Sequence, residues 1–405
     1  MVWSPPLNPT RRIAISLELG LDLSALCFLP ILVLFPRGVA PLTSFAGLLA
    51  LGLALPNGRA AFTRLGPPAS LLLALLVWAG SSAAWSIEPA HSLVIAARML
   101  GLFAAGLALA AAVDAVASPR RLLLCFYLGL IVALVLALIQ FTTSGWLTRP
   151  FLTRGFAAPQ LNQAADTLAI LAVPASVTLI YVDRARLGLM LAVAGLAVIY
   201  TLVGTAAKTA LAAGIVLAAM LYISPRKLAR LAAILSVVII ITTPLTFARL
   251  AQLPAVTETS EGVKFSAWHR LMIWSFAGDR IAERPLRGWG LDASRVIPGG
   301  DEPISQGRVW LPLHPHNAAI QVWLELGVPG AVLFALIVAW LWFGLAATDW
   351  PRLFAAAAGG SLTTALVAAI GAYGIWQEWW IGALWFSLFL ILVMARCISA
   401  PTPKI

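Results

Sequence analysis

The chain has 405 residues, of which 61% are hydrophobic and 11% charged, with a net charge of +11. Soluble domains carry about a quarter charged residues and less than half apolar residues, so this composition excludes a soluble globular protein. A membrane helix needs roughly 20 apolar residues, and about twelve such helices would use nearly all the apolar residues present. The positive charge is spread along the chain, which indicates membrane topology first and anion binding only second. The three cysteines form no spaced framework, which excludes a disulfide scaffold.

Apolar runs separated by proline, glycine and charged residues predict an all-α polytopic membrane protein with about twelve transmembrane helices. The run 187–223 is too long for one span, so we place a turn at Gly204. The predicted spans are 13–35, 38–55, 69–86, 92–112, 121–141, 163–181, 187–203, 207–223, 231–248, 317–346, 353–372 and 378–395.

The positions of Lys and Arg predict the orientation of these spans. With a cytoplasmic N-terminus, about half of the 27 Lys and Arg residues lie in inside loops, and the short outer loops carry few. An even number of spans returns the C-terminus to the cytoplasm. Two arginines precede the first span, as in secretory signals. The length of this span and its Glu18 and Asp22, which we interpret as packing or orientation residues, favour an uncleaved helix.

The segment 249–315 is the one long hydrophilic stretch, and it divides the chain. It concentrates tryptophans, arginines and two of the four histidines. Long loops escape the positive-inside bias and are usually functional. We expect transmembrane helices one to nine in 1–248, a periplasmic catalytic loop in 249–315, and helices ten to twelve with a short tail in 316–405. The chemistry should therefore take place outside the cytoplasmic membrane, without ATP.

Span ten begins beside His316 and Asn317, which follow His314 and Pro315. Proline suits the first turn of a helix, and the helix dipole there helps to keep His316 neutral and able to accept a proton. The alternative is that His316 is an interfacial polar cap. A helix of 317–346 is longer than the membrane core, so it should protrude or kink at Pro329. Gly327 and Gly330 should lie near one face of the helix and allow close helix approach, which is a structural role.

Arginines upstream of His316 are candidates for phosphate binding, because guanidinium groups bind phosphate oxygens bidentately. Residues 265–284 predict a helix that ends at Pro285 and lies along the outer interface. Arg270 and Arg287 have no obvious partner nearby in the sequence, which favours a functional role. For Arg280 and Arg284 we favour ion pairs with neighbouring acidic residues.

Two further cations lie within apolar runs, where ionisable groups are costly and are candidates for function by default. Lys208 follows the predicted turn at the outer end of span eight, and Arg98 lies inside span four. Helix-helix hydrogen bonding is the alternative role for Arg98. There is no Asp-X-Asp motif, no P-loop, and no metal-ligand spacing beyond the weak pair His314-X-His316. We therefore expect no metal, no cofactor and no nucleotide-driven mechanism.

The sequence His316-Asn317, nine residues, Gly327, two residues, Gly330 resembles the signature of the O-antigen ligases. The stretch from Arg270 to Leu291 is similar to the region just upstream of that histidine in the same ligase and polymerase superfamily. Gly155, Phe156, Pro159 and Asn162 weakly resemble a mid-chain outer loop of the family. Where the family commonly has an arginine at the outer end of the matching span, this chain has Lys208, which keeps the charge but loses bidentate geometry.

The resemblance implies a membrane-embedded glycosyltransferase of the GT-C type in the bacterial inner (cytoplasmic) membrane, with its active site facing the periplasm. It implies transfer of O-antigen from undecaprenyl diphosphate to a sugar hydroxyl of the lipid A-core oligosaccharide. The partners would be these two substrates and the lipid bilayer, with no nucleic acid. His316 would be the general base of a metal-independent, inverting displacement, and Arg270, Arg287 and Lys208 would stabilise the diphosphate. Asn317 would orient His316 or the acceptor, and His314 would assist binding.

Three other functions stay open at this stage. An O-antigen polymerase would share the fold and the cationic site, although the spacing after His316 favours the ligase. A protein-glycosylating relative often carries extra C-terminal sequence, whereas this sequence ends ten residues after Ala395, which counts against that alternative. A transporter of lipid-linked glycans would carry charges through the midplane of both halves, whereas here the charges gather on the predicted outer face.

Overall fold

The computed structural model describes residues 9–57, 65–151, 161–202, 205–250, 253–254, 256, 265–305 and 307–399. These residues form an all-α bundle, and the described part of the chain contains no β-strand beyond one isolated bridge between Pro303 and Val309. The helices are α1 (Pro9–Leu34), α2 (Val39–Ala54), α3 (Gly66–Ser81), α4 (Pro89–Ala112), α5 (Pro119–Thr142), α6 (Asn162–Tyr181), α7 (Ala185–Leu202), α8 (Thr205–Ile223), α9 (Pro225–Leu250), α10 (Phe265–Glu283), α11 (Ala318–Ala347), α12 (Arg352–Gly371) and α13 (Glu378–Ser399).

The protein is a multi-pass membrane protein. Within the described residues, eleven helices are long and apolar enough to cross a membrane, and α7 is a shorter apolar helix over Ala185–Tyr200. Each predicted span coincides with one of these twelve helices to within a few residues. Proline at the first position of α4, α5 and α9 explains why these helices start there. Its fixed φ suits a helix, and an N–H at that position would have no partner within the helix, so its absence costs nothing. The predicted turn at Gly204 lies outside the described residues.

The bundle is built around α6, the most buried of the spanning helices. It packs against α7 and α12, while α13 packs against α2, α4 and α6. Small residues allow some helices to approach closely: a Cβ added at Gly214 in α8 would lie 2.6 Å from the carbonyl oxygen of Gly360 in α12. The central helices therefore hold their positions through dense packing, and their ends form a fixed base for the loops.

The described residues of the predicted loop 249–315 are largely structured. Its α10 matches the predicted helix 265–284 and packs against α9 and α11. The segment 265–317 lies at the end of the bundle that also carries the connections 82–88 and 372–377, as the contacts below show. We call this the site end, and the other the opposite end.

Candidate functional site

The segment 265–317 shares one hydrophobic core with the first part of α11. Ile273 and Phe276 from α10 pack with Trp289 and Leu311 from the loop and with Leu324 from α11. Trp274 donates a hydrogen bond from its indole nitrogen to the carbonyl oxygen of Pro315, 2.9 Å away. The segment is therefore anchored on both sides of His316.

Helix α11 breaks at Gly327, which has φ +62° and ψ −159°. The expected kink at Pro329 was therefore wrong in position, because the non-helical backbone lies two residues earlier. The break frees carbonyl groups of the preceding turn, which accept other hydrogen bonds: Leu324 from Trp289 N (2.9 Å), Glu325 from Gly290 N (2.9 Å) and Leu326 from the Trp78 indole (2.8 Å). The break is thus also the place where the loop pairs with the helix.

Two glycines make this pairing possible. A Cβ added at Gly327 would lie 2.5 Å from the carbonyl carbon of Leu286, and one added at Gly288 would lie 2.4 Å from that of Glu325. Both have positive φ, a conformation that other residues adopt only with strain. The expectation that Gly327 serves helix-helix approach was wrong, since it contacts loop backbone. Gly330 leaves room for the side chain of Leu326.

Glu325 joins the loop to the bundle from a fully buried position. One carboxylate oxygen accepts from the Trp376 indole (2.5 Å) and the Asp292 N–H (2.8 Å). The other accepts from the Gln321 amide (3.0 Å) and the Ser294 hydroxyl. A carboxylate with both oxygens satisfied is well suited to fix three chain segments in one arrangement. Sequence analysis missed this residue, although the rule applied to Lys208, that ionisable groups inside spans are candidates, also selects it.

His316 precedes α11 in a left-handed conformation, with φ +55°. Asn317 is the N-cap of α11: its side-chain oxygen accepts from Ala319 N (3.0 Å) and Ile320 N (3.1 Å). The helix therefore starts after Pro315 and His316, and not at Pro315. Asn317 is fully buried, and its side-chain nitrogen has no hydrogen-bond partner among the described residues.

The ring of His316 is oriented by Ala372. Its Nδ1 lies 2.8 Å from the Ala372 carbonyl oxygen. A carbonyl can only accept, so Nδ1 carries the proton and Nε2 keeps its lone pair. Burial lowers the pKa of His316 below its usual 6.5, and the neighbouring Arg270 and His269 lower it further against the opposing effect of the Ala372 hydrogen bond. His316 is therefore neutral at neutral pH, with Nε2 available to accept a proton.

His314 lies against His316, with the ring centroids 4.3 Å apart. It is buried, and its Nε2 lies 3.1 Å from the side-chain nitrogen of Gln377. Burial, together with the nearby His316 and Arg295, lowers the pKa of His314 to about 3. It therefore stays uncharged, and its ring packs against the ring of His316.

Arg270 occupies α10 close to His316. Its guanidinium is half-buried and has no hydrogen-bond or ion-pair partner among the described residues. Burial lowers its pKa from 12.5, and the nearby Tyr373 raises it. A half-buried cation without a counter-charge is suited to bind an anion.

A small cavity of about 70 Å³ lies beside Arg270 at the site end. Its lining residues come from α6, α8, α10 and the connection after α12: Asn162, Asp166, Ala206, Ala207, Arg270, Ala372 and Tyr373. Asp166 and Tyr373 are further candidates that sequence analysis missed. Asp166, like Glu325, is an ionisable residue inside a span and could have been found on that ground.

The other two predicted cations lie away from this cavity. Arg287 is exposed; its carbonyl accepts from the Trp85 indole at 3.0 Å, and its side chain has no partner among the described residues. Lys208 places its Nζ 4.4 Å from the ring centroid of Tyr200. Neither residue lines the cavity. Arg270 lies close enough to His316 to lower its pKa, and Ala372, which orients His316, lines the same cavity as Arg270.

The remaining charged residues have structural partners. Arg280 pairs with Glu283 at 2.5 Å, as expected, but Arg284 stacks over the ring of Trp289 at 3.9 Å and does not form the expected ion pair. Arg98 donates to Glu378 at 2.8 Å, which fits its helix-helix alternative. The residues Gly155, Phe156 and Pro159 of the weak mid-chain resemblance lie outside the described residues. In the described part of the chain, no three His, Cys, Asp or Glu side chains are grouped to hold a metal ion.

The fold and site define a polytopic membrane protein with a neutral histidine, and an arginine that has no partner among the described residues, at one end of a helical bundle. The sequence pattern of the O-antigen ligase family matches residues 177–335, which include Arg270, His316 and Gly327. Three of the relatives named "putative polysaccharide ligase" illustrate the similarity. The one from Rickettsia conorii is 28% identical over 66% of this chain and 65% of its own length. The one from Rickettsia felis is 27% identical over 80% and 79%, and the one from Rickettsia prowazekii is 35% identical over 32% and 33%.

These matches confirm the resemblance indicated by the His316 motif: the chain is similar to the O-antigen ligase family over residues 177–335 and to proteins named putative polysaccharide ligases. The chain spans slightly less than two thirds of the Rickettsia conorii relative and a third of the Rickettsia prowazekii relative.

Proposed function

We propose that this protein is an O-antigen ligase that transfers O-antigen polysaccharide from undecaprenyl diphosphate to the lipid A-core oligosaccharide during lipopolysaccharide assembly. One observation carries the proposal: a neutral histidine with a free ring nitrogen and an arginine without a partner among the described residues lie together at the end of a membrane bundle. Glycosyl transfer from a lipid diphosphate needs both a base and a cation.

The proposed reaction is a single displacement. Nε2 of His316 removes the proton of an acceptor hydroxyl, and the oxygen attacks the anomeric carbon of the donor sugar. The bond between that carbon and the diphosphate oxygen breaks, and its electron pair leaves with undecaprenyl diphosphate. Attack from the face opposite the leaving group inverts the anomeric centre. Arg270 stabilises the charge that develops on the diphosphate, and in this proposal fixed cations do so without a metal ion.

Two other cations extend the proposed anion site. Arg287 is exposed beside the loop that pairs with α11, and Lys208 lies one turn into α8, next to Ala207 of the cavity wall. We place them along the path of the diphosphate as it enters or leaves. Asn317 and His314 act through His316, the first by capping α11 and the second by packing against the ring.

The proposed location is the inner membrane, with both termini cytoplasmic and the site end facing the periplasm. The bias of Lys and Arg toward the opposite end supports this orientation. The lipid-linked donor would enter from the bilayer, and the loop segment 265–317 would face the acceptor.

A deletion strain that makes O-antigen tests the function. We expect bare core on a lipopolysaccharide gel together with accumulated long lipid-linked polymer, both corrected by the wild-type gene and not by His316→Ala. Core capped with a single repeat would instead identify a polymerase.

Transfer of labelled glycan by the purified protein in detergent separates an enzyme from a transporter. Loss of a general base lowers the rate by about 10²–10⁴-fold, which we expect for His316→Ala. The matched control is His91→Gln, since His91 lies at the same end but pairs with Asp292 at 2.9 Å, away from the cavity. Equal transfer by His316→Ala and wild type at equal protein level would remove His316 from the mechanism.

A further inference from the structure

A buried carboxylate lies in the second turn of the molecule's most buried helix. Asp166 in α6 is 1% exposed and forms no ion pair with any described residue. One oxygen, Oδ2, accepts from the Tyr373 hydroxyl at 2.5 Å. The other, Oδ1, is buried and has no hydrogen-bond partner among the described residues.

This arrangement differs from the structural carboxylates of the same protein. Both oxygens of Glu325 are satisfied, and Glu18 and Asp22 share Arg121. A buried carboxylate oxygen without a partner destabilises the fold, so packing alone does not account for Asp166. An ionisable residue inside a span that faces a cavity indicates a binding role.

The cavity beside Asp166 restricts what it can bind. Its volume of about 70 Å³ accepts a small polar group and not a whole sugar ring. Asp166 repels a phosphate oxygen, and Arg270 on the same cavity repels a cation. A neutral hydroxyl satisfies both residues, because it donates to a carboxylate and accepts from a guanidinium.

Tyr373 holds the carboxylate in place. Its ring packs edge-on against Trp379 with the centroids 4.6 Å apart. Burial, and then the neighbouring Asp166, raises the pKa of the Tyr373 phenol above its usual 10, so the hydroxyl remains a donor. The adjacent residue, Ala372, orients His316. One short connection thus positions the base on one side and the carboxylate on the other.

We propose that Asp166, positioned by Tyr373, is a subsite for a sugar hydroxyl in the transfer site. The hydroxyl belongs to the sugar attached to the diphosphate or to the acceptor sugar, and both sources present the same chemistry. This inference rests on the proposed function, since it takes the ligand at Arg270 to be a glycosyl diphosphate.

The test compares two lipids on purified protein: undecaprenyl diphosphate without sugar, and the lipid-linked O-antigen. The variant Asp166→Asn keeps the size of the side chain. Because the Tyr373 hydroxyl donates, the amide oxygen of the new side chain should face Tyr373 and its NH₂ should face the cavity, where a sugar hydroxyl loses its charged acceptor. We expect unchanged affinity for the bare lipid. We also expect either an affinity for the glycan-bearing lipid that is about tenfold lower, or a KM for lipid A-core that is about tenfold higher. The assay that changes identifies the source of the hydroxyl.

Two further variants separate binding from folding. Tyr373→Phe should weaken binding of the same substrate to a smaller extent, since the carboxylate remains but loses the hydrogen bond from the Tyr373 hydroxyl. Ser176→Ala is the matched control, because Ser176 is also buried in α6, also has no partner for its hydroxyl among the described residues, and does not line the cavity. It should leave all three constants unchanged.

The outcomes distinguish failure of the proposed subsite from failure of the proposed function on which it rests. If the wild type transfers glycan and Asp166→Asn matches it in every constant, the subsite is wrong and the ligase proposal stands. Equal weakening of both lipids would show a structural role for Asp166 and also overturn the subsite. If the wild type neither binds the lipids nor transfers glycan, both proposals fail.

Discussion

Two pairs of arginines, one pair at each end of the bundle, are used differently. At the opposite end, Arg121 donates to Asp22 (2.5 Å) and to Glu18 (3.2 Å), and Arg396 donates to the carbonyls of Val113 and Val116, each at 2.6 Å. At the site end, Arg270 and Arg287 have no such partners among the described residues.

The difference separates cations that hold helices together from cations that are available to bind a ligand. Arg121 joins α1 to α5, and Arg396 joins α13 to the end of α4, so each has its hydrogen bonds satisfied within the fold. A half-buried guanidinium such as that of Arg270 loses hydration without gaining such bonds, which is favourable only if an anion binds there. The predictions below test this distinction.

The largest expected effect is that two arginine variants lose different properties, one its transfer activity and the other its stability. Arg270→Ala should lower transfer by about 10²–10³-fold while thermal stability stays the same, because it removes a charge that acts on the leaving group. Arg121→Ala should lower the free energy of unfolding by about 2 kcal/mol, because it leaves two buried carboxylates without their partner. Transfer per folded molecule should remain normal in Arg121→Ala. Both are measured by labelled-glycan transfer and by thermal unfolding in detergent, and the same profile for both variants would remove the distinction.

The next effect concerns the break in α11. Gly327→Ala places a Cβ 2.5 Å from the Leu286 backbone at a positive φ, so we expect a loss of about 1–3 kcal/mol in stability and at least a tenfold loss of transfer as the loop moves away. Gly344→Ala is the matched control, because that glycine belongs to the same helix and a Cβ there would meet no atom within 4 Å. A stable, fully active Gly327→Ala protein would show that the loop does not need its observed position.

A smaller effect is expected from pH. The pKa of folded His316 lies below 6.5, so the neutral base is present at pH 7 and is lost as the pH falls through that lower value. Transfer should therefore be constant near neutrality and decrease with acid, by up to about tenfold per pH unit below the pKa. Rates normalised to folded protein are compared between about pH 5 and 8, which is the range in which histidines titrate. The residual activity of His316→Ala should lack this acid dependence, and the same profile in that variant would assign it to another group.

The smallest expected effect is that of Lys208→Ala. Because its ammonium lies over Tyr200 and outside the cavity wall, we expect only a few-fold change in transfer, on the order of one exposed charge interaction. Lys227→Ala, an exposed lysine at the opposite end, provides the control. A loss as large as that of Arg270→Ala would place Lys208 directly on the diphosphate.

Much of the architecture followed from the sequence, because hydrophobic length and proline positions determine where membrane helices start and end. The twelve predicted spans and the helix before Pro285 show this. His316 and Arg270 were each selected from the sequence, His316 by its motif and Arg270 by the similar stretch from Arg270 to Leu291. What the sequence did not reveal depends on contacts between distant segments: Tyr373 with Asp166, Ala372 with His316, and the loop with Glu325. No local pattern records which of these segments meet.

The interval of nine residues between Asn317 and Gly327 now has a physical meaning. Asn317 caps a short helix and Gly327 ends it, so the interval fixes both the distance and the angle between the cap and the break. Each residue in a helix advances it by about 1.5 Å and turns it by about 100°. Inserting one residue would therefore rotate His316 by roughly a third of a turn relative to the loop that pairs at Gly327, and would separate Nδ1 from Ala372. The spacing of the motif, and not only its residues, therefore sets the direction in which the His316 ring points.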